Sequence, residues 1–393
     1  DSMYANDNPA MPTLQPWIVV TATPAQKFSF KRNPNFHRVD KAGVQLPYLD
    51  GIDAFIADRD LIPVKAAAGE TQLQAIGLNV ADMTALRQNE VKGQYVARAW
   101  PSLKGAHVAL YPNLTVSDPV WRKLNRDVRF RRALSLGIDR QEINKVLFFG
   151  LATPGNNAPV PPSPLANTRW TSADTQHDPK AANALLDQIG LTKREAGGVR
   201  VLPDGRPLEI VIESAGESKE EVDVLQLISQ HYKSIGVRFV FKVTDRTAMR
   251  NRAYSGAAVM TVFSGWDNGA PSAEMSPDEL APVWQTGLAW PKWGQYHETK
   301  GKAGEKPDMA PALELLALNE RWRLAKPVDR AAIWNRMLEI HTAERFIIGV
   351  VSNVLQPVVV SKALRNVPEK GRWGWDPGAQ FGMYRMDSFW LDR

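Results

Sequence analysis

Between residues 208 and 266 the chain switches repeatedly between strand-like and helix-like periods, and this run constrains the fold more than any other stretch. LEIVIES (208–214) is a short, β-branched run of strand length. ESKEEVDVLQLISQHYKSIG follows, with Val222, Leu225, Ile228 and Ser229 near one helical face. VRFVFKVT (237–244) alternates with period two. DRTAMRNRAY then reads as a second helix and AAVMTVFSGW as a third strand. Strand, helix and strand joined by short links make a crossover unit with parallel strands. The predicted order is therefore βαβαβ, and the predicted class is α/β, with mixed sheets flanked by helices.

The flanking segments carry their own punctuation. PWIVVTAT, KFSFKR and DGIDAFIAD read as strands, and LIPVKAAAGE as a short helix ending at Gly69. Residues 1–16 are proline-broken and read as a loop or extended arm. Asp118-Pro119 predicts a capped helix with proline in its first turn, and Asp178-Pro179 predicts another that closes at Gly190. Asp139 with Glu142 forms a capping-box-like pair, with Gly150 as the stop. TPGNNAPVPPSPLAN (153–167) holds five prolines and reads as an extended surface or cleft-lining segment. The segment from Trp266 to about Asp308 reads as loop. Two helices follow, ALELLALNERWRLA and DRAAIWNRMLEIHTAERF. The run FIIGVVSNVLQPVVVS then reads as buried strand, broken at Pro357.

Length and composition set the outer bounds. The 393 residues suffice for two or three domains, at roughly one per 150 residues. The charged fraction, 23%, argues against disorder, coiled coils and fibrous repeats. No 18-residue apolar run is present. The net charge of +6 is interspersed rather than gathered into a patch. The densest basic cluster, Arg126, Arg129, Arg131 and Arg132, reads as a solvated helix face, so no nucleic-acid partner is expected. The absence of cysteine excludes disulfides, thiolate metal sites and a cysteine nucleophile. No signal-peptide pattern occurs in this sequence.

Catalytic signatures are missing. None of the six histidines stands in metal-ligand spacing, and no nucleophile elbow, phosphate loop or dinucleotide fingerprint is found. No catalytic residue, metal or cofactor is expected. His341, between Glu339 and Glu344, reads as a half-buried structural or surface residue. Asn113-Leu114-Thr115 matches the glycosylation pattern, which also occurs by chance. The thirteen tryptophans, by contrast, are about 3% of the chain. Trp322 and Trp334 fall on predicted helices and read as core. Trp284, Trp290, Trp293, Trp373 and Trp375 fall in predicted loops, where indoles suit stacking on sugar rings or enclosing peptide side chains. Trp266, Asp267 and Asn268 follow the third strand, at the carboxyl end where ligands of open parallel sheets bind. Gly265 and Gly269 are expected to let that turn bend sharply. The candidate ligand-binding set is thus Trp266, Asp267, Asn268, Trp373 and Trp375, with Asn157 from the cleft-lining segment.

VRFRRALSLGIDRQEINKVLFFGLATPGNNAPVPPSPL, from Val128 to Leu165, resembles the family 5 extracytoplasmic solute-binding proteins of ABC importers. KFSFKRNPNFHRVD and QLPYLDGIDAFIADRDLIPVKAAAGE are similar to that family's first-domain segment, and FSGWDNGAPS to its ligand loop. VVVSKALRNVPEKGRWGWDPGAQFGMYR resembles the tail of a long-chain subgroup. The family includes oligopeptide, dipeptide, nickel and oligosaccharide binders. In its dipeptide binders an aspartate of a GW-containing loop pairs with the ligand's amine. Asp267 is the matching position, although its spacing from Trp266 is shorter.

The resemblance implies a two-lobed, type II periplasmic-binding-protein clamshell. Lobe I is expected at 1–104 with a return segment at 346–393, and lobe II at 105–345. The expected hinges lie near 102–109 and 343–351. The family's exported leader and first subdomain are not visible, which implies the C-terminal portion of a longer protein or one piece of a cleaved one. The implied function is capture of an oligopeptide or oligosaccharide and its delivery to an ABC permease, by a monomer in the periplasm or tethered outside the cytoplasmic membrane. Lobe closure around the solute is expected. The competing reading is a secreted carbohydrate-active enzyme or lectin with an aromatic cleft.

Overall fold

The structure, a computed structural model, describes residues 8–216, 218–376 and 378–392. The first seven residues of the expected N-terminal arm, and Glu217 at the expected start of the 217–236 helix, lie outside the described residues. The chain divides into two compact units. One holds residues up to Ser102 and from Leu355 onward; the other holds Leu103–Val354.

The N-terminal part of the first unit contributes β1 (Trp17–Val19), β2 (Lys27–Arg32), β3 (Gly51–Phe55), α1 (Leu61–Ala67), β4 (Leu73–Gln74), α2 (Met83–Gly93) and β5 (Tyr95–Pro101). The strands β1, β2 and β3 pair antiparallel in that order. This matches the three strands and the short helix expected there.

The second unit runs through β6 (Val108–Pro112), α3 (Pro119–Arg126), α4 (Val128–Leu136), α5 (Arg140–Leu147), β7 (Thr153–Pro154), α6 (Thr168–Ser172) and α7 (Pro179–Gln188). It continues with β8 (Glu209–Ser214), α8 (Lys219–Lys233), β9 (Arg238–Val243), α9 (Arg246–Ser255) and β10 (Met260–Phe263). It ends with α10 (Pro291–Glu298), α11 (Ala310–Leu324), α12 (Pro327–Glu344) and β11 (Ile348–Ser352). Its sheet has the order β7-β11-β6-β10-β8-β9. The strands β10, β8 and β9 are parallel, as the βαβαβ reading requires. β6 runs antiparallel to both β10 and β11, which makes the sheet mixed. The helices start where side-chain oxygens meet their orphan first-turn amides. Asp118 accepts from Val120 and Trp121, Asp139 from Glu142, and Asp178 from Ala181, at 2.8–3.1 Å.

Leu355 returns the chain to the first unit with β12 (Leu355–Ser361), β13 (Leu364–Arg365) and β14 (Trp390–Leu391). β12 lies between β4 and β5, antiparallel to both.

Three expectations are corrected here. The strand run does not break at Pro357, which pairs with Ala99 inside β12. β4 reaches only Val359 and Val360, so the other edge is open at Pro357 and its missing N–H costs no ladder bond there. The break falls at Asn353 and Val354, and it separates strands of different units. β11 pairs with β6 and β7, so residues 346–354 belong with the second unit rather than with the return segment. The predicted loop between Trp266 and Asp308 contains α10. Trp290 directly precedes that helix and Trp293 lies in it, and both indoles are buried rather than free to stack.

Each unit has its own apolar core. Trp170, Trp290, Trp293, Trp334, Leu315 and Phe346 belong to a large cluster in the second unit. Trp100, Val358, Val360, Trp373 and Phe389 form one cluster of the first unit, and Leu86, Tyr95 and Val359 belong to another. Within the arginine cluster, Arg129 and Arg132 keep exposed side chains, but Arg131 departs from the expected solvated face. Arg131 is fully buried, donating to the Glu344 and Asn125 carbonyls and to the Glu344 carboxylate at 2.5–2.9 Å. Arg129 pairs with Asp127 and Arg132 with Asp174.

Candidate functional site

The segment Ser264–Ala270 leaves the carboxyl end of β10 and is held to two other stretches of backbone. Gly265 N–H donates to the Ala106 carbonyl at 2.8 Å, and Gly105 N–H to the Trp266 carbonyl at 2.9 Å. Gly269 N–H reaches the Leu103 carbonyl at 2.5 Å, and Val160 N–H the Gly269 carbonyl at 2.6 Å. Neither Gly265 nor Gly269 has a positive φ, so the expected sharp bend is not why they are glycine. The reason is space. A Cβ at Gly265 would sit 2.6 Å from the Ala106 nitrogen and against Asn157 Oδ1. One at Gly269 would sit 2.5 Å from the Lys104 carbonyl carbon.

A pocket of about 320 Å³ opens at this strand end, wholly within the second unit. Aromatic side chains from three stretches line it: Tyr111 on β6, Phe263 and Trp266 from β10 and its loop, and Trp284 with Trp290 before α10. Its polar groups include Asp267, Asp278, Glu279, Arg250 and Ser264. Trp284 is 44% exposed, which leaves an indole face for a ligand. The Glu279 carboxylate bridges two successive amides, accepting from Asp267 N–H at 2.9 Å and Asn268 N–H at 3.3 Å. That bridge fixes the loop that presents Asp267. Asp278 accepts from Asn319 Nδ2 at 2.8 Å. Tyr111 donates to the Ser264 carbonyl at 2.5 Å. Burial, reinforced by the charges of Glu279 and Asp267, pushes its phenol well above the usual value. Lys104 lies within electrostatic reach of Asp267. Burial lowers its ammonium pKa, and the carboxylates of Asp267 and Glu221 act in the opposite sense.

Of the six candidate residues, the structure brings Trp266 and Asp267 to this pocket. Trp266 is only 4% exposed and stands edge-on to His341, with ring centroids 5.2 Å apart. Asn268 turns into its own loop, with Oδ1 accepting from Ala270 N–H and Nδ2 reaching Met275 Sδ. Asn157 is buried, and its Oδ1 accepts the Trp266 N–H at 3.0 Å. Trp373 and Trp375 belong to the other unit. Trp373 is buried against Phe381, centroids 5.1 Å apart, so core packing accounts for it; Trp375 is exposed. Trp284, Tyr111, Phe263, Arg250 and Glu279 were not legible as a set. They are far apart in sequence and meet only when β6 and β10 pair. Trp284 alone carried a signal, as a loop tryptophan.

Two isolated features are also settled. Asn113 of the glycosylation-like triplet is fully buried, and its Oδ1 accepts from both Thr115 N–H and Thr115 Oγ1. His341 is buried on α12, donating to the Leu280 carbonyl at 2.8 Å. Among the described residues no group of three or more His, Cys, Asp or Glu is placed to hold a metal ion, and no helix is long and apolar enough to cross a membrane.

The mixed sheet flanked by helices, with a ligand-sized pocket at a strand end, is that of a binding protein of the periplasmic type II fold. Residues 2–282 match the family of bacterial extracellular solute-binding proteins, family 5 Middle, and the chain belongs to that family. Its relatives and structural neighbours are binding proteins rather than enzymes. The chain is 24% identical to the periplasmic alpha-galactoside-binding protein of Rhizobium meliloti, over 97% of this chain and 55% of that protein. Among solved structures, the oligopeptide-binding protein OppA is 30% identical, with a TM-score of 0.67 over 99% of this chain and 64% of that one. The periplasmic binding protein MelB of Agrobacterium fabrum C58, solved with stachyose, is 20% identical, with a TM-score of 0.79 over 97% of this chain and 57% of that one. The chain thus spans about half to two thirds of the length of these relatives.

Proposed function

We propose that this chain is part of an extracytoplasmic solute-binding protein that captures an oligosaccharide and delivers it to an ABC importer. The observation that carries the reading is the pocket at the end of β10, where the accessible indole of Trp284 stands beside the carboxylates of Asp267, Asp278 and Glu279. Sugars present an apolar face of C–H groups ringed by hydroxyls. An indole plate takes the first, and fixed carboxylates accept hydrogen bonds from the second. No bond is made or broken. Support also comes from the alpha-galactoside-binding relative, whose match covers nearly the whole chain. The secreted-enzyme or lectin alternative has no such support. The protein works in the periplasm or tethered outside the cytoplasmic membrane, and its macromolecular partner is the permease.

A peptide is the second reading. It rests on Asp267, a carboxylate suited to an ammonium group, and on the 30% identity to OppA. Calorimetric titration of the complete protein with stachyose and with a tripeptide separates the two. Binding of stachyose, weakened roughly tenfold to a hundredfold by Trp284→Ala, supports the sugar reading and this pocket together. Binding of the tripeptide alone, lost in Asp267→Asn, establishes the second. Turnover of a glycoside overturns both.

A further inference from the structure

A second, much smaller cavity of about 10 Å³ lies in the same unit, lined by Asn157, Trp170, Trp266, His341 and Arg345 among others. It has room for one water-sized species, which excludes phosphate, sulfate and any carboxylate. Three of its lining residues carry buried N–H groups with no acceptor among the described residues: Asn157 Nδ2, Trp266 Nε1 and Arg345 Nε. Neighbouring polar atoms of two of these residues are committed. Asn157 Oδ1 accepts the Trp266 N–H, and Arg345 Nη2 donates to Asp174 Oδ2 at 3.1 Å and to the Thr342 carbonyl at 2.9 Å. An orphaned buried donor carries its full desolvation cost, and three of one polarity around one cavity call for an acceptor.

The local charge says which acceptor. Arg345 and Arg140 are both buried and lie within electrostatic reach of each other. Asp174 is the carboxylate near both, and it also pairs with half-exposed Arg132 at 3.4 Å. Among the described residues Arg140 donates to neutral groups: the Gly349, Ser135 and Thr175 carbonyls and Ser135 Oγ. The neighbouring pair Arg131–Glu344 is internally balanced. Three guanidinium groups thus share one carboxylate, a positive excess that a neutral water molecule leaves unbalanced and an anion offsets.

We propose that this cavity binds a single halide ion, held by Asn157 Nδ2, Trp266 Nε1 and Arg345 Nε. The indole of Trp266 lines both this cavity and the larger pocket, so the ion fixes a wall of the solute site. The proposal stands whichever solute that pocket takes.

The test uses the complete protein without solute. Crystals soaked in sodium bromide are measured at the bromine edge, and thermal midpoints are compared in sodium chloride and sodium gluconate at equal ionic strength. An anomalous peak is expected among the three nitrogens. The midpoint is expected to rise with chloride, by roughly 3–5 °C per tenfold increase above the dissociation constant. Asn157→Asp keeps the acceptor for the Trp266 amide but replaces the donor with a repelling oxygen, and should abolish the chloride increment. Trp266→Phe keeps most of the ring without the N–H and should reduce it. If neither variant folds, the native protein alone decides. No bromide peak at the cavity, or equal midpoints in the two salts, overturns the proposal and leaves water as the guest.

Discussion

Burial holds the His341 imidazole at a pKa of about 4, below its ordinary value of 6.5, with Arg345 acting in the same direction and the bond to Leu280 opposing it. The folded state therefore binds fewer protons than the unfolded one between pH 6.5 and 4, and stability falls as pH drops through that window. The difference corresponds to roughly 3 kcal/mol once both transitions are passed. His341→Gln keeps a donor for the Leu280 carbonyl and removes the titration. Urea midpoints of the native protein should fall more steeply from pH 7 to pH 4.5 than those of the variant; parallel curves would show that this histidine is not held neutral. Two tryptophans make a second residue-scale contrast. Trp373→Ala empties a packed core site and should cost about 3–5 kcal/mol. Trp284→Ala removes a half-exposed ring and should change stability by no more than about 0.5 kcal/mol. Thermal melts of the two variants separate the core indole from the one proposed to stack on the solute.

Among the elements, the helix starts were the most legible part of the sequence, because a cap and its proline act within one turn. Asp178 with Pro179 shows this: the side chain accepts from Ala181 N–H at 2.8 Å and α7 begins where expected. Asp178→Ala should lower stability by about 1 kcal/mol, read from a denaturant midpoint at constant slope. The βαβαβ run was legible for a similar reason, since β8, α8 and β9 are neighbours in both sequence and space. The loop after β10 behaves differently. Gly265 is required by a contact with Ala106 and Asn157, the latter 108 positions away, and no local pattern announces it. Gly265→Ala should destabilise the protein by roughly 1–3 kcal/mol and disturb the pocket, as a methyl group forced into an occupied site. An unchanged melting midpoint would mean that the loop can yield.

For the molecule as a whole, the chain passes between the two units twice, and each unit has hydrophobic clusters of its own. Each unit therefore carries its own cooperativity, and heat unfolding should not be two-state. Scanning calorimetry should give a calorimetric enthalpy above the van't Hoff value; equality would mean that the units melt as one. The densest basic cluster is likewise paired within the fold: Arg129, Arg131 and Arg132 each meet an acid, so this cluster is not expected to serve as a duplex-binding stripe. Titration with DNA at low salt should show no tight binding with a steep salt dependence.

The sequence by itself determined what is local or periodic: the α/β class, the capped helices, the parallel run from 208 to 266, and the family resemblance carried by contiguous motifs. Trp266 and Asp267 could be placed at the strand end where the pocket opens because period and punctuation reveal such a position. Tertiary structure decided everything that depends on distant residues meeting. It placed β11 with β6 rather than with the returning chain, because hydrogen-bond partners, not hydropathy, assign a strand to a sheet. It buried Trp290, Trp293 and Arg131, which read as loop and surface, since burial is a property of what packs against a residue. It joined Trp284, Tyr111, Phe263 and Glu279 around one pocket, and Asn157, Trp266 and Arg345 around another. Those groupings exist only once pairing of β6 with β10 and β11 closes the long separations between them.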